Sequence, residues 1–344
     1  MTFKYDNVYI NDSSTVAGPY EKNGPFGNLY DKTYKEFYFN EKTFEQAESK
    51  LINESVNILL NKSNKKADDI DVHISGDLLN QIIASNYAAS KIGIPFLGIY
   101  SACASSTEGI LIASNMIDKS QIKNAIVSVS SHNNSAEKQF RYPVEYGAPK
   151  KNYTTFTTTG GASILISNEK SNIKVESSTI GKVMDMGVTD VFNMGGVMAP
   201  AAAYTIYTHL KETGRTIDYY DLILTGDLGK HGKEILKEYM MEEYNIELKN
   251  YDDSACMIYD LDKQPVYSGG SGPACLPLVT YTYIFDKMKK QELKKVLLVA
   301  TGALMSPTSV YQHLTIPSIA HAVSLEVIQW YIYTHFCFVV LYVC

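Results

Sequence analysis

Three stretches of this chain recur later in the same order, and that repetition limits the possible folds more than any other feature. DIDVHISGDLLNQ (69 to 81) is echoed by DYYDLILTGDLG (218 to 229), each with an acidic lead-in, an apolar run and a Gly-Asp-Leu exit. IKNAIVSVSS (122 to 131) has the shape of LKKVLLVATG (293 to 302), and GGASILIS (160 to 167) that of IAHAVSLE (319 to 326). Chance similarity of apolar strands would rarely keep order, so the pattern implies a duplicated unit of roughly 150 residues. Each copy alternates β-type runs with helical spacing, as in 44 to 60, where apolar residues fall at 44, 47, 51, 52, 56, 59 and 60. The expected class is α/β, two pseudo-symmetric halves with mixed sheets and layered helices, divided as 1–170 and 171–327, with an atypical tail at 328–344.

Between the first two repeated segments lies IPFLGIYSACASSTEGILIASNMI (94 to 117), an apolar β-type run that turns at small residues around Cys103 into helical spacing. A cysteine at a strand-to-helix elbow sits at the positive end of the helix dipole, which is expected to lower its pKa. The same spacing also suits a buried, inert thiol. The matching turn of the second half falls in 266 to 285, with the run SGGSGPAC. Residues 11 to 33 read as an ordered loop, 139 to 161 as a long loop closing over something, and 192 to 210 as a Gly-Gly turn leading into an Ala-rich helix.

Apolar residues make up 45% of the chain, enough for real cores, and the net charge is −6. No Lys/Arg cluster interleaved with aromatics is present, so a nucleic-acid partner is not expected. The five cysteines show neither C-x-x-C pairs nor metal-ligand spacing, which points to free thiols and no metal site. The N-terminus lacks the pattern of a cleaved signal peptide. Residues 328 to 344, almost wholly apolar or aromatic, fall short of the ~20 residues a membrane-spanning helix needs. A membrane-contacting tail, a buried strand and a shifted reading frame all fit them.

The duplicated α/β layout with a cysteine elbow in the first half resembles the thiolase fold of thiolases and β-ketoacyl synthases. In condensing members the elbow cysteine is acylated, while a His and an Asn or second His from the other half assist. The resemblance places Gly226 at the position of that His and Gly270 at that of the Asn. A thiol lacking both helpers is not expected to condense acyl groups, since one lost oxyanion donor alone costs roughly 10²–10³ in rate. His231, in the hydrophilic GKHGKE loop, reads as an exposed histidine rather than a replacement.

SGDLLNQ (75 to 81), SACASSTE (101 to 108), SSHNNSAEKQFRYPVEYG (130 to 147), MAPAAA (198 to 203), DLILTGDLG (221 to 229), SGGSGPAC (268 to 275) and VATGALMSP (299 to 307) together resemble the stage V sporulation protein AD family. That resemblance implies no catalysis, Cys103 being vestigial, and no cofactor. It implies binding of dipicolinic acid (pyridine-2,6-dicarboxylate), free or as its calcium chelate, for uptake into the developing spore and release at germination. It further implies membrane-protein partners from the same operon, a peripheral place at the inner spore membrane of the forespore, and, from the wider fold, a homodimer.

A planar dianion calls for N–H donors, a cation and a flat apolar slot. The expected ligand set is Asp77, Cys103, Ser130, His132, Arg141, Gly226 and Gly270. Arg141 is the leading cation because a guanidinium grips a carboxylate in two places. An arginine tying the loop to Glu145 or Asp77 fits as well. Tyr142 and Tyr146 are stacking candidates, and the two glycines are expected to leave room where synthases carry imidazole and amide. Asp77 suits the site only if protonated, bridged by calcium or paired with Arg141. The competing readings are an acyltransferase using Cys103 and a scaffold for membrane partners.

Overall fold

The computed structural model describes residues 1–141 and 150–328. Glu145, Tyr142, Tyr146 and the tail beyond 328 therefore lie outside the described residues. The first part of the chain runs β1 (Thr2–Lys4), β2 (Tyr9–Ala17), α1 (Pro19–Lys22), β3 (Lys32–Thr33), α2 (Phe44–Lys62), β4 (Val72–Gly76), α3 (Ile83–Ile92), β5 (Phe96–Gly98), α4 (Ser105–Asp118), β6 (Asn124–Ser131), α5 (Asn133–Phe140), β7 (Phe156–Thr157) and β8 (Gly160–Ser167). The second part runs β9 (Ile173–Thr179), α6 (Met194–Thr213), β10 (Leu222–Thr225), α7 (Gly229–Tyr244), β11 (Tyr251–Asp253), α8 (Ser254–Met257) and β12 (Gly270–Ser271). It continues through α9 (Cys275–Val279), a π-helical turn at Thr280–Ile284, α10 (Phe285–Lys289), β13 (Lys295–Ala303), α11 (Pro307–Tyr311) and β14 (Ser318–Val327).

The main sheet has the order β11-β10-β13-β14-β9-β2-β8-β6-β4-β5. Read inward from either edge, the pattern is the same: a parallel pair, another parallel pair, then two antiparallel ones. The two sets meet where β2 pairs antiparallel with β9 through Tyr9↔Lys174 and Ile10↔Ile173. Helices α2 and α3 cover one outer face around Ile52, Val56 and Leu59, and α6 and α7 the other around Met198, Ile206 and Leu236. Between the sets lies the largest core, where Ile110 and Ile117 of α4 meet Leu278, Ile284 and Phe285 of the α9–α10 stretch.

The acidic lead-in of the repeat has a structural reason. Asp71 accepts hydrogen bonds from the Lys123 and Asn124 backbone N–H groups at 2.7 and 2.9 Å. Asp221 accepts from those of Lys294 and Lys295 at 2.6 and 2.9 Å. Each carboxylate thus fixes the start of the neighbouring parallel strand, in β6 and in β13.

Two local expectations are corrected. Residues 11 to 17 are strand rather than loop, because Ser14 and Thr15 find polar partners inside the fold: Ser14 Oγ donates to Ser55 O, and Asp31 accepts the Thr15 N–H. Gly195 and Gly196 form the first turn of α6 rather than a turn before it, capped by Asn193 Oδ1 accepting the Gly196 N–H. A Cβ on Gly195 would lie 2.3 Å from Leu228 O and 2.8 Å from Gly232 Cα, so this glycine serves the α6–α7 contact.

Candidate functional site

Cys103 lies between β5 and α4, as the elbow reading expects. Ala102 takes φ of 50°, a left-handed conformation costly for a side chain with Cβ, and it reverses the chain there. Ser105 Oγ ties the turn by accepting the Ser101 N–H and donating to Ala102 O. From the second half, Gly302 of β13 presses on the elbow: a Cβ there would stand 2.1 Å from Ser101 O.

The expected lowering of the thiol's pKa does not occur. Cys103 is 9% exposed, and burial, with the nearby Asp227 carboxyl, pushes its pKa well above the ordinary value, against the pull of the Gly272 N–H and Arg141. Desolvation of a thiolate outweighs the helix dipole.

A cavity of about 40 Å³ opens on Cys103, walled by Tyr100, Glu137, Arg141, Met194, Met198 and Met305 among others. Of the expected ligand set, Cys103 and Arg141 line it; Asp77, Ser130, His132, Gly226 and Gly270 do not. Arg141 pairs with Glu137 rather than Asp77: its Nη1 is 2.9 Å from Glu137 Oε1 and donates to Thr155 O at 2.9 Å. Lys150 approaches the other Glu137 oxygen at 3.0 Å, so the triad carries one net positive charge. The guanidinium also lies over the Phe192 ring, 5.5 Å from its centroid.

The remaining candidates have structural partners. Asp77 is buried and accepts from the Leu79 N–H, the Ser85 N–H and Ser85 Oγ at 2.9, 2.8 and 2.7 Å. Burial still raises its pKa, and that of the neighbouring wholly buried Glu48, which takes hydrogen bonds from Ser130 and Ser135. His132 caps α5: its Nδ1 accepts the Asn134 N–H and its Nε2 donates to Phe37 O, while burial pulls its pKa down to about 4 and keeps it neutral. His231 is exposed, with Ser268 for a neighbour.

The room expected beside Gly270 is occupied: a Cβ there would meet Ile258 Cγ2 at 2.9 Å and both Cys275 Sγ and Thr158 Oγ1 at 3.0 Å, so side chains of both halves fill it. Beside Gly226 a Cβ would stand in ordinary contact, 3.4 Å from Leu276 Cβ and 3.6 Å from Ala300 Cα.

Sequence reasoning passed over several residues of this centre. Glu137 was detectable as the i−4 partner of Arg141, and Met305 from its place in VATGALMSP. Asp227 is the other omission. It is wholly buried, neither carboxyl oxygen has a well-aligned hydrogen bond, and burial together with Asp253 raises its pKa well above normal against the pull of the nearby Gly272 N–H. Thr301 Oγ1, on the adjacent strand, is likewise buried without a partner. Among the described residues no histidine lines the cavity, and no group of three or more His, Cys, Asp and Glu side chains is placed to hold a metal ion.

Solved structures share this architecture. 3-Oxoacyl-[acyl-carrier-protein] synthase III from Aquifex aeolicus superposes with a TM-score of 0.58 at 12% identity, covering 93% of this chain and 99% of its own. Acetamide-bound OleA from Xanthomonas campestris gives 0.60 at 12% identity, covering 94% and 100%. The fold is therefore thiolase-like. In sequence, residues 1–326 match the family described as stage V sporulation protein AD. The protein of that name from Bacillus subtilis (strain 168) is 48% identical over 320 residues, 93% of this chain and 94% of the relative.

Proposed function

The chain belongs to the stage V sporulation protein AD family, and from that premise we propose that it is a non-catalytic binding protein for dipicolinic acid, free or as its calcium chelate. The observation that carries this reading is the Arg141 guanidinium in the wall of the Cys103 cavity, held by Glu137 in an otherwise largely apolar lining, while Lys150, outside that lining, takes the other Glu137 oxygen. The buried acids around it support the reading too. Burial raises the pKa of Asp77, Glu48 and Asp227, which makes each of them easier to protonate beside an anion. The absence of a histidine beside the thiol, among the described residues, and the raised pKa of Cys103 both argue against acyl transfer.

The described cavity, about 40 Å³, is smaller than the ~150 Å³ that accommodates a benzene ring, so a pyridine diacid enters only if side chains move. Met194, Met198 and Met305 are unbranched and adaptable enough to do so. The protein acts in the forespore, peripherally at the inner spore membrane, beside membrane proteins of its operon and as a homodimer. Among the described residues no helix is long and apolar enough to cross a membrane.

Calorimetric titration with dipicolinate and with isophthalate, its ring-carbon analogue, tests the reading. Dipicolinate gives measurable heat and Arg141→Ala weakens binding by about 10- to 100-fold, the worth of a charge-assisted hydrogen bond. Equal and negligible heats for the two diacids remove the idea. The Gly272 N–H facing Cys103 favours one rival, a Cys103 acyltransferase. A stable adduct on Cys103 after incubation with acyl-CoA, seen by intact mass, would establish it.

A further inference from the structure

The Cys103 cavity has a larger neighbour. A second space, of about 330 Å³, lies between the 79–82 turn, Gly98 and Ser306. Tyr100 and Met305 line both spaces and no other described residue does, so these two side chains are the partition. Tyr100 Oη donates to Met305 O at 3.1 Å, on the exposed side of the partition.

The surrounding wall is fixed. Gln81 and Ile82 stand consecutively at φ of 57° and 50°, a conformation that a β-branched residue keeps only when its surroundings impose it. Asp77 holds the turn at Leu79 and Ser85. Gln139 holds it from α5, accepting the Asn80 N–H and donating to Leu78 O. A Cβ on Gly98 would stand 2.3 Å from Ile82 Cδ1, so the Ile82 side chain packs directly over this glycine of β5. The movable parts are the Tyr100 ring, held by one hydrogen bond, and an unbranched methionine.

The outer wall carries no formally charged residue, and the inner one carries Arg141 and Glu137. We propose that the outer cavity is a second ligand subsite and the way in to Cys103. An uncharged ring or short chain, including the apolar face of a planar acid, lodges against Leu79, Ile82 and Tyr100. When Tyr100 swings off Met305 the two spaces join and the charged end reaches Arg141. This holds whichever acid the inner site takes.

The thiol itself reports on the route. The full chain is treated with a maleimide carrying a bulky aromatic group, and modification of Cys103 and of partly exposed Cys256 is followed by peptide mass analysis. The Cys103-to-Cys256 rate ratio rises about tenfold in Tyr100→Ala and falls several-fold in Asn80→Trp, since local access governs labelling of a buried thiol. Asn80 is exposed at the rim, so its replacement leaves the core intact. A ratio within about twofold of the native value in Asn80→Trp overturns the proposal, as does an unchanged ratio in folded Tyr100→Ala.

Discussion

Glu21 shows what burial does to a single carboxyl group in this protein. It is wholly buried, accepts hydrogen bonds from Tyr259 Oη and the Thr159 N–H, and still has its pKa raised to about 7, because desolvation exceeds what the two donors return. A carboxyl whose folded pKa lies above its unfolded value binds protons more tightly when folded. Stability therefore falls as pH rises from about 4.5 to about 7 and is level above that range. The loss amounts to about 3 kcal/mol. In Glu21→Gln that slope is absent, which urea unfolding at the two ends of the range reads directly. The same physics explains the failed expectation at Cys103. The helix dipole can be read from spacing, but the depth of burial cannot, and depth decides.

Among the elements, the turn between β4 and α3 combines two consecutive left-handed residues, one of them β-branched, with clear hydrogen-bond support. Asp77→Ala leaves the Leu79 and Ser85 N–H groups without their acceptor and costs about 3 kcal/mol, while Ser85→Ala, which removes one donor, costs about 1. Thermal unfolding of the two variants checks that order. This turn also shows how far the sequence is legible. The Gly-Asp-Leu echo placed Asp77 and Asp227 at equivalent strand exits, and the structure keeps them there. Their surroundings diverge: Asp77 has Ser85, whereas in the second copy Asp253 accepts the Leu228 and Gly229 N–H groups and Asp227 is left with no well-aligned hydrogen bond, only the nearby Gly272 N–H. A repeat specifies position along the chain, and only packing specifies which carboxyl finds a donor. The cavity was less legible for the same reason. Its methionines come from α6 and from the segment after β13, while Arg141 follows α5, and no local spacing brings them together.

At the scale of the whole molecule, the matched aspartates Asp71 and Asp221 do the same work in two places. Asp71→Ala and Asp221→Ala each lose about 1–2 kcal/mol, and the double variant loses their sum, since the pair share no partner. Chemical denaturation of the three variants measures the additivity. The thiolase-like class followed from the order of the repeats, because a duplicated strand pattern leaves few ways to layer sheets. The filling of the space beside Gly270 did not follow, because it depends on Cys275, Ile258 and Thr158, whose aim only the folded chain reveals.

The main-sheet join at β2 and β9 is short, two residue pairs, and the N-terminal β1 strand crosses to pair with β9 as well. Because so few backbone pairs join the two sets of strands while side chains of the central helices interlock, the seam itself predicts that the chain tolerates a cut between Ser167 and Ile173. The protein expressed as two fragments cut there should reconstitute by complementation, held by the interlocked central helices and by the first few residues of the chain.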